Sequence, residues 1–316
     1  MTASRGRWLP YLAVTLAACS WGTWALVLRK AEGLAPMGAA LESTIVMATI
    51  TAVSAITMLR DRTPGPASWR DRAWVAWLGV SDAMNVVLFF AAVRFVITVA
   101  VLVHYLTPVL VAVTAPFALR ERLTARTAGA VVTSVAGLAV MLAPASGSLN
   151  RGAASWAAIF AAGSAVFYAS NVIVNKLIVS AFSPSEAMFW HGLVATPLLA
   201  LLVPRGAWAV VDPRAVGFLA WVAIGPGALA GLAYVWGLRR IPAAHASTLT
   251  LVEPLVAVSI GSAVFGEPFG PRTWIGGALI LGSSLVVMRS SDAPREGPAD
   301  EELAIACVSA AGRDSS

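Results

Sequence analysis

The sequence predicts an all-α membrane protein: ten transmembrane helices arranged as two inverted five-helix repeats. Composition, the length of the apolar runs and an internal repeat at a fixed offset carry that prediction. Of 316 residues, 58% are hydrophobic and 12% charged, about half the charged share of a soluble domain. The apolar residues come in runs of roughly 20, the length that crosses the hydrocarbon core of a bilayer.

Windows of about 19 residues place the helices at 8–28, 37–59, 73–93, 96–118, 124–143, 154–178, 186–204, 215–237, 243–265 and 271–289. Gly and Pro clusters mark the joints at 33–36, 64–66, 146–152, 183–185, 204–206 and 266–271, as turn chemistry requires. Residues 290–316, rich in Pro, Glu, Asp and Ser, read as a polar cytoplasmic tail without a core of its own.

Orientation follows from the positive-inside rule. With the N-terminus inside, 15 Lys and Arg fall on the cytoplasmic face and 7 outside, so both termini are predicted cytoplasmic in a multi-pass protein of a bacterial-type plasma membrane. The net charge of +6 sits in short loops, and no basic run tracks a phosphate backbone, which argues against a nucleic-acid partner. Two cysteines, Cys19 and Cys307, supply neither a zinc spacing nor a plausible disulfide. Leu16-Ala17-Ala18-Cys19 after Arg5 and Arg7 also reads as a lipoprotein signal. Cleavage there would delete the first span and leave an odd number.

The repeat has a constant offset of 146 residues: Lys30 falls on Lys176, Gly79 on Gly225, Arg94 on Arg240, Ala100 on Ala246, Pro108 on Pro254, Glu121 on Glu267, Arg126 on Arg272 and Thr127 on Thr273. No gap interrupts the register, and each pair occupies the same point of the same helix. Five spans per copy force the second copy to enter from the opposite side. Inverted halves of this kind are a recurrent plan of secondary transporters.

Two stretches allow a resemblance to be named. One is His104-Tyr105-Leu106-Thr107-Pro108-Val109-Leu110-Val111-Ala112 leading to Leu119-Arg120-Glu121-Arg122-Leu123; the other is Leu251-Val252-Glu253-Pro254-Leu255-Val256-Ala257 leading to Phe265-Gly266-Glu267-Pro268. The chain resembles the drug/metabolite transporter superfamily, of the EamA type, over residues 8–289, with repeats at 8–143 and 154–289. The resemblance implies ten helices, cytoplasmic termini, a central cavity and movement of amino acids, drugs, nucleosides or other metabolites. The family often carries an Arg near the start of the second helix of each half. Here Glu42 stands near that place, so a substrate inference through the Arg does not transfer.

A helical proline releases the carbonyl four residues earlier, so Pro108 and Pro254 predict breaks at equivalent mid-membrane points, at His104 and Thr250. Matched interruptions point to a transporter's binding site, although membrane helices also accept proline as a packing kink. Glu253, beside the second proline, is a costly intramembrane carboxylate that belongs in a cavity or on a neighbouring helix. His104 with Thr107, and Thr250 with Glu253, form equivalent pairs. All four are substrate-binding candidates, and His104 and Glu253 are proton-coupling candidates as well, with an interhelical hydrogen bond as the plain alternative for the histidine. Ser81, Asp82 and Asn85 share one side of the third helix; Asp82 and Asn85 join the substrate-binding set.

Trp24, together with Trp21, Tyr105, Tyr168, Trp190 and Trp236, lines a cavity or belongs to the interfacial aromatic belt. Lys30 and Lys176 are gating candidates, with snorkelling anchors as the alternative. Glu121 and Glu267 are expected at the N-terminus of the helix that follows each.

These residues favour a secondary transporter, an exporter working by alternating access, with protons as a coupling partner and no cofactor or metal. Partners are a small-molecule substrate and the bilayer, with the chain a monomer or homodimer. No Walker-type motif supports nucleotide drive. A membrane-embedded enzyme using His104, His191 and His245, or a non-transporting sensor, are the alternatives. The histidines lack any paired ligand spacing, and the chain is expected not to be an enzyme.

Overall fold

A computed structural model describes residues 3–35, 37–61, 66–142, 151–265 and 270–289. The tail at 290–316, with Cys307, and Glu267 lie outside them. The first half contains α1 (Ala3–Trp21), α2 (Trp24–Leu34), α3 (Ala39–Met58), α4 (Trp69–Val93), α5 (Ile97–His104), α6 (Thr107–Ala118) and α7 (Ala125–Leu142). The second contains α8 (Arg151–Leu177), α9 (Pro184–Leu201), α10 (Pro213–Val222), α11 (Ala230–Leu238), α12 (Ala243–Leu249), α13 (Val252–Phe265) and α14 (Pro271–Arg289). No strand occurs among the described residues.

Four crossings are interrupted along their length: α1/α2, α5/α6, α10/α11 and α12/α13. Counting each as one gives ten membrane crossings, five per half. Eight of the ten are long and apolar enough to span a bilayer by themselves. The first offers only the shorter apolar stretch Trp8–Trp21 before the break at Gly22 and Thr23, and the seventh, α9, is diluted by Ser185, Glu186 and His191. The break at Gly22 is a correction to the continuous helix expected over 8–28. Ser20, Gly22 and Thr23 are the signal that reading passed over.

Packing follows the inverted repeat. The principal contacts all join one half to the other: α7 with α14, α3 with α9, α4 with α8, and α1 with α11. Exchanging the halves maps the first two pairs onto themselves and the last two onto each other. Small residues permit the close approach that membrane helices need in place of a hydrophobic drive. At α7/α14, a Cβ on Gly137 would stand 2.8 Å from the Gly276 carbonyl oxygen, and Gly276 meets Gly137 reciprocally. At α1/α11, Gly237 lies against the Pro10 carbonyl in the same way.

One pair departs from the symmetry. α6 packs against α12, whereas the equivalent pair, α5 with α13, makes no comparable contact. Every residue of α12 is buried, while in α5 only Ala100 and His104 are. The two halves are thus drawn together at the α12 end and parted at the α5 end. Towards lipid and its interfaces, Trp8, Trp69, Trp156, Trp208 and Trp274 are exposed, as an aromatic belt requires.

Candidate functional site

Backbone irregularity is tolerated at membrane depth only inside protein or beside a cavity. All four interruptions here border one cavity of about 580 Å³. Trp21, Gly22 and Trp24 come from the first break, His104 and Tyr105 from α5/α6, Pro226 and Gly227 from the segment between α10 and α11, and Glu253 and Pro254 from α12/α13. That segment, Ala223–Leu229, is a π-helix, a local form found most often at functional positions. Gly22 is required where the first break meets the ninth crossing: a Cβ there would stand 2.7 Å from the Glu253 carbonyl oxygen.

The two proline breaks are built alike up to one residue. α5 ends at His104 and α6 begins at Thr107; α12 ends at Leu249 and α13 begins at Val252. Each interruption lies just before its proline, at the carbonyl the ring leaves without a donor. The His104 carbonyl accepts the Thr107 hydroxyl at 2.7 Å. The equivalent Thr250 carbonyl instead accepts the Glu253 backbone N–H at 3.0 Å. Glu253 occupies the position of Thr107 in the repeat, so its side chain is left for the cavity, next to the Tyr105 hydroxyl and near Tyr168 and Tyr234.

Trp24, Asp82, Asn85, His104, Glu253 and Pro254 line the cavity; Thr107, Thr250 and Pro108 do not. The threonine hydroxyls are engaged with backbone, Thr107 as above and Thr250 at the Ser247 carbonyl, 2.8 Å away. Their expected substrate contact is therefore replaced by a structural one. Ser81 donates to the Phe167 carbonyl and is fully buried. Of the aromatic candidates, Trp21, Trp24, Tyr105 and Tyr168 face the cavity. Trp190 is exposed, and Trp236 lies under the Arg240 guanidinium, 4.1 Å from its ring centre.

His104 is held on every side. The Ser164 hydroxyl donates to Asn85, with its side-chain oxygen at 2.8 Å and its carbonyl at 3.0 Å. That hydroxyl has one proton to give, so His104 Nδ1, 2.9 Å away, is the donor to Ser164 Oγ. The ring stacks on Tyr168 with an interplanar angle of 4° and packs against Phe89. His245 is bracketed by the Tyr11 hydroxyl at 2.9 Å and Thr127 at 3.0 Å. His191 lies beside Asp82 on a third wall. The three histidines do not converge, and among the described residues no group of three or more His, Cys, Asp or Glu could hold a metal.

Sequence reasoning passed over Asn171, Asn175, His191 and Tyr234 as cavity residues, although all four line it. Asn171 and Asn175 carried a signal, two amides at i and i+4 inside an apolar span. The carboxylates Glu42, Asp82 and Glu253 line the cavity, and no Lys or Arg does among the described residues.

One face of the molecule is tied shut below this cavity. Glu121 forms an ion pair with Lys176 and accepts the Ala243 N–H at 2.7 Å. It therefore caps α12 across the molecule instead of serving the adjoining α7, as had been expected, because the positive end of α12 and the Lys176 ammonium converge on it. Lys176 also donates to the Ile241 carbonyl at 2.7 Å, and Arg239 donates to that of Phe182 at 2.6 Å. Burial, and next the neighbouring Arg240, draw the Arg239 guanidinium down to about 10, which leaves it charged at neutral pH. Lys30, the repeat equivalent of Lys176, is exposed.

Residues 8–143 and 155–289 each match the EamA-like transporter family. An uncharacterized transporter of Bacillus subtilis, YwfM, is 30% identical over 142 residues, which is 44% of this chain and 46% of the relative. An uncharacterized transporter of Archaeoglobus fulgidus is 28% identical over 218 residues, 67% of this chain and 75% of that one. A solved crystal structure superposes with a TM-score of 0.74 at 22% identity, covering 88% of this chain and 95% of the other; at that identity the likeness concerns the fold.

Proposed function

Because the chain belongs to the EamA-like transporter family, we propose that it exports a small organic metabolite, an amino acid, amine or drug, by alternating access coupled to protons. The observation that carries this reading is the cavity where all four backbone interruptions meet between the halves. It is acidic and aromatic, and no Lys or Arg lines it among the described residues. A substrate there meets charge and π-faces that favour a cationic or zwitterionic head on an apolar body. The one-sided closure at α6/α12 supports alternation, since an inverted pair that shuts one end can exchange shapes and shut the other. The Lys176–Glu121 pair is the latch of the closed end and Lys30 belongs to the opposite one. The charge bias of the loops supports a cytoplasmic position for the latch and both termini, in a bacterial-type plasma membrane.

Flux into proteoliposomes tests this. With an imposed proton gradient, labelled amines and amino acids are expected to move faster than an anionic sugar phosphate, and collapse of the gradient should slow them. Preference for the anion would reject the charge argument, and indifference to the gradient would reject the coupling.

A further inference from the structure

On the cavity wall formed by α4, α8 and α9, Asp82, Asn171, Asn175 and His191 come together in a way the reading above does not use. Asn171 and Asn175 are one turn apart on α8 and share a face, and both are more than nine-tenths buried, at 7% and 8% exposure. One hydrogen of each amide is placed: Asn171 Nδ2 donates to Asp82 Oδ1 at 3.1 Å, and Asn175 Nδ2 donates to the Asn171 carbonyl at 3.0 Å. Turning either amide over would set oxygen against oxygen, so the assignment is chemically fixed. Both amide oxygens then remain without a hydrogen-bond partner, an expensive arrangement for buried acceptors.

His191 adds a further acceptor. Its Nδ1 lies 3.1 Å from the Ala187 carbonyl, which can only accept, so Nδ1 carries the hydrogen. In the neutral ring Nε2 then presents a lone pair, 3.6 Å from Asp82 Oδ2. Close packing fixes this register, because Gly79 on α4 has no Cβ and lies against the His191 carbonyl. The wall thus offers a carboxylate, an imidazole nitrogen and two amide oxygens that no donor among the described residues reaches.

We propose that Asp82, Asn171, Asn175 and His191 form a subsite for the primary ammonium group of an amine or amino acid. A primary ammonium brings three N–H donors and a compact positive charge. A quaternary ammonium brings the charge without the donors. An alkali ion prefers an all-oxygen shell, which the imidazole breaks. The other titratable groups on the cavity are Glu42 on α3, His104 and Tyr105 at the α5 break, Tyr168 on α8, Tyr234 on α11 and Glu253 on α13. Lys176 on α8 is paired with Glu121, and Glu186 caps its own helix at Ser183. The subsite rests on the transporter reading for its purpose, while its occupancy is tested by binding alone.

The test uses the purified full chain in detergent, with calorimetry and thermal shift at about pH 8. The probes are phenethylamine, its N,N,N-trimethyl analogue, neutral 2-phenylethanol and sodium chloride alone. Phenethylamine is expected to bind at least about tenfold more tightly than the trimethyl analogue, with no stabilisation by the alcohol or by sodium. Asp82→Asn and Asn171→Leu should abolish binding while eluting as wild type on size exclusion, and Asp82→Glu should restore part of it if Asp82→Asn fails to fold. His191→Gln, which loses the imidazole acceptor, should bind more weakly than wild type. Equal binding of the trimethyl analogue, a shift with sodium alone, retained affinity in Asp82→Asn or no phenethylamine binding would each overturn the subsite. Flux of a substrate without amine binding would overturn the subsite and leave the transporter reading standing. Amine binding without flux of any solute would do the reverse.

Discussion

The fourth and ninth crossings are the same device in two copies, and they differ in what surrounds them. Both break just before a proline, at positions related by the repeat. Around the ninth, α12 is buried at every residue, packed on α6 and capped by Glu121. Around the fourth, α5 is mostly half-buried and has no comparable contact with α13. Under the alternating-access reading proposed above, a difference in packing between equivalent elements belongs to one conformational state, because exchange of the halves would interchange the two environments. A difference in residue type persists through that exchange. Thr107 against Glu253 is of the second kind, and it belongs to chemistry.

The largest effect is therefore expected from making the breaks chemically equal. Glu253→Thr copies the residue of the first half, whose hydroxyl can serve the Thr250 carbonyl as Thr107 serves that of His104. Abundance and thermal stability in detergent should stay near wild type. Loss of a buried charge partner should cost substrate binding about 2–5 kcal/mol, more than a tenfold loss of affinity measured by calorimetry on a transported cation. Wild-type affinity in this variant would mean that Glu253 serves only to join helices.

Much of the fold was legible because bilayer length and a gapless offset both leave a strong imprint on sequence. Pro108 and Pro254 marked the two breaks through one missing N–H each. The first break was harder to see, since Gly22 matters through its fit against the Glu253 carbonyl, a contact 231 positions along the chain. The candidate site was legible in part. Isolated charges such as Asp82 and Glu253 stand out in apolar spans, whereas the hydroxyls of Thr107 and Thr250 gave no sign that backbone would claim them. Asn171 and Asn175 were visible as residues, but their orphaned oxygens follow from where Asp82 and the α8 backbone direct the amide hydrogens. Glu121 reaches α12 through tertiary packing, and no local rule of helix capping indicates that.

The state-dependent part of the comparison calls for a second pair of variants. Lys176→Met removes the ammonium from Glu121 in a largely buried pair with side chains 12% and 19% exposed. Since water still reaches both, the expected cost is about 1–3 kcal/mol, below the figure for breaking a fully buried pair. Lys30→Met, at the exposed equivalent, should stay within about 0.5 kcal/mol. Thermal unfolding of both variants in detergent measures the gap. Equal effects would show that the latch contributes nothing to the closed end. A cysteine placed in α12 of Lys176→Met should also react faster with a membrane-impermeant thiol reagent than in the parent.

The smallest expected effect concerns the carbonyl that each proline frees. Thr107→Val keeps shape and removes the hydroxyl that serves the His104 carbonyl, which should cost about 1 kcal/mol or slightly more. At the second break the equivalent carbonyl is served by backbone N–H, which side-chain substitution does not remove. Thr250→Val deletes the bond from its own hydroxyl to the Ser247 carbonyl, one turn inside a helix that is packed on all sides, and that hydroxyl's contact with Tyr168. Its effect should be no larger than that of Thr107→Val. Thermal midpoints of the two variants, taken side by side, decide the matter. A larger loss for Thr250→Val would mean that buried α12 depends on its internal hydroxyl bonds more than the fourth crossing depends on the repair of its break, and the two copies would then differ in how they are held as well as in what they present.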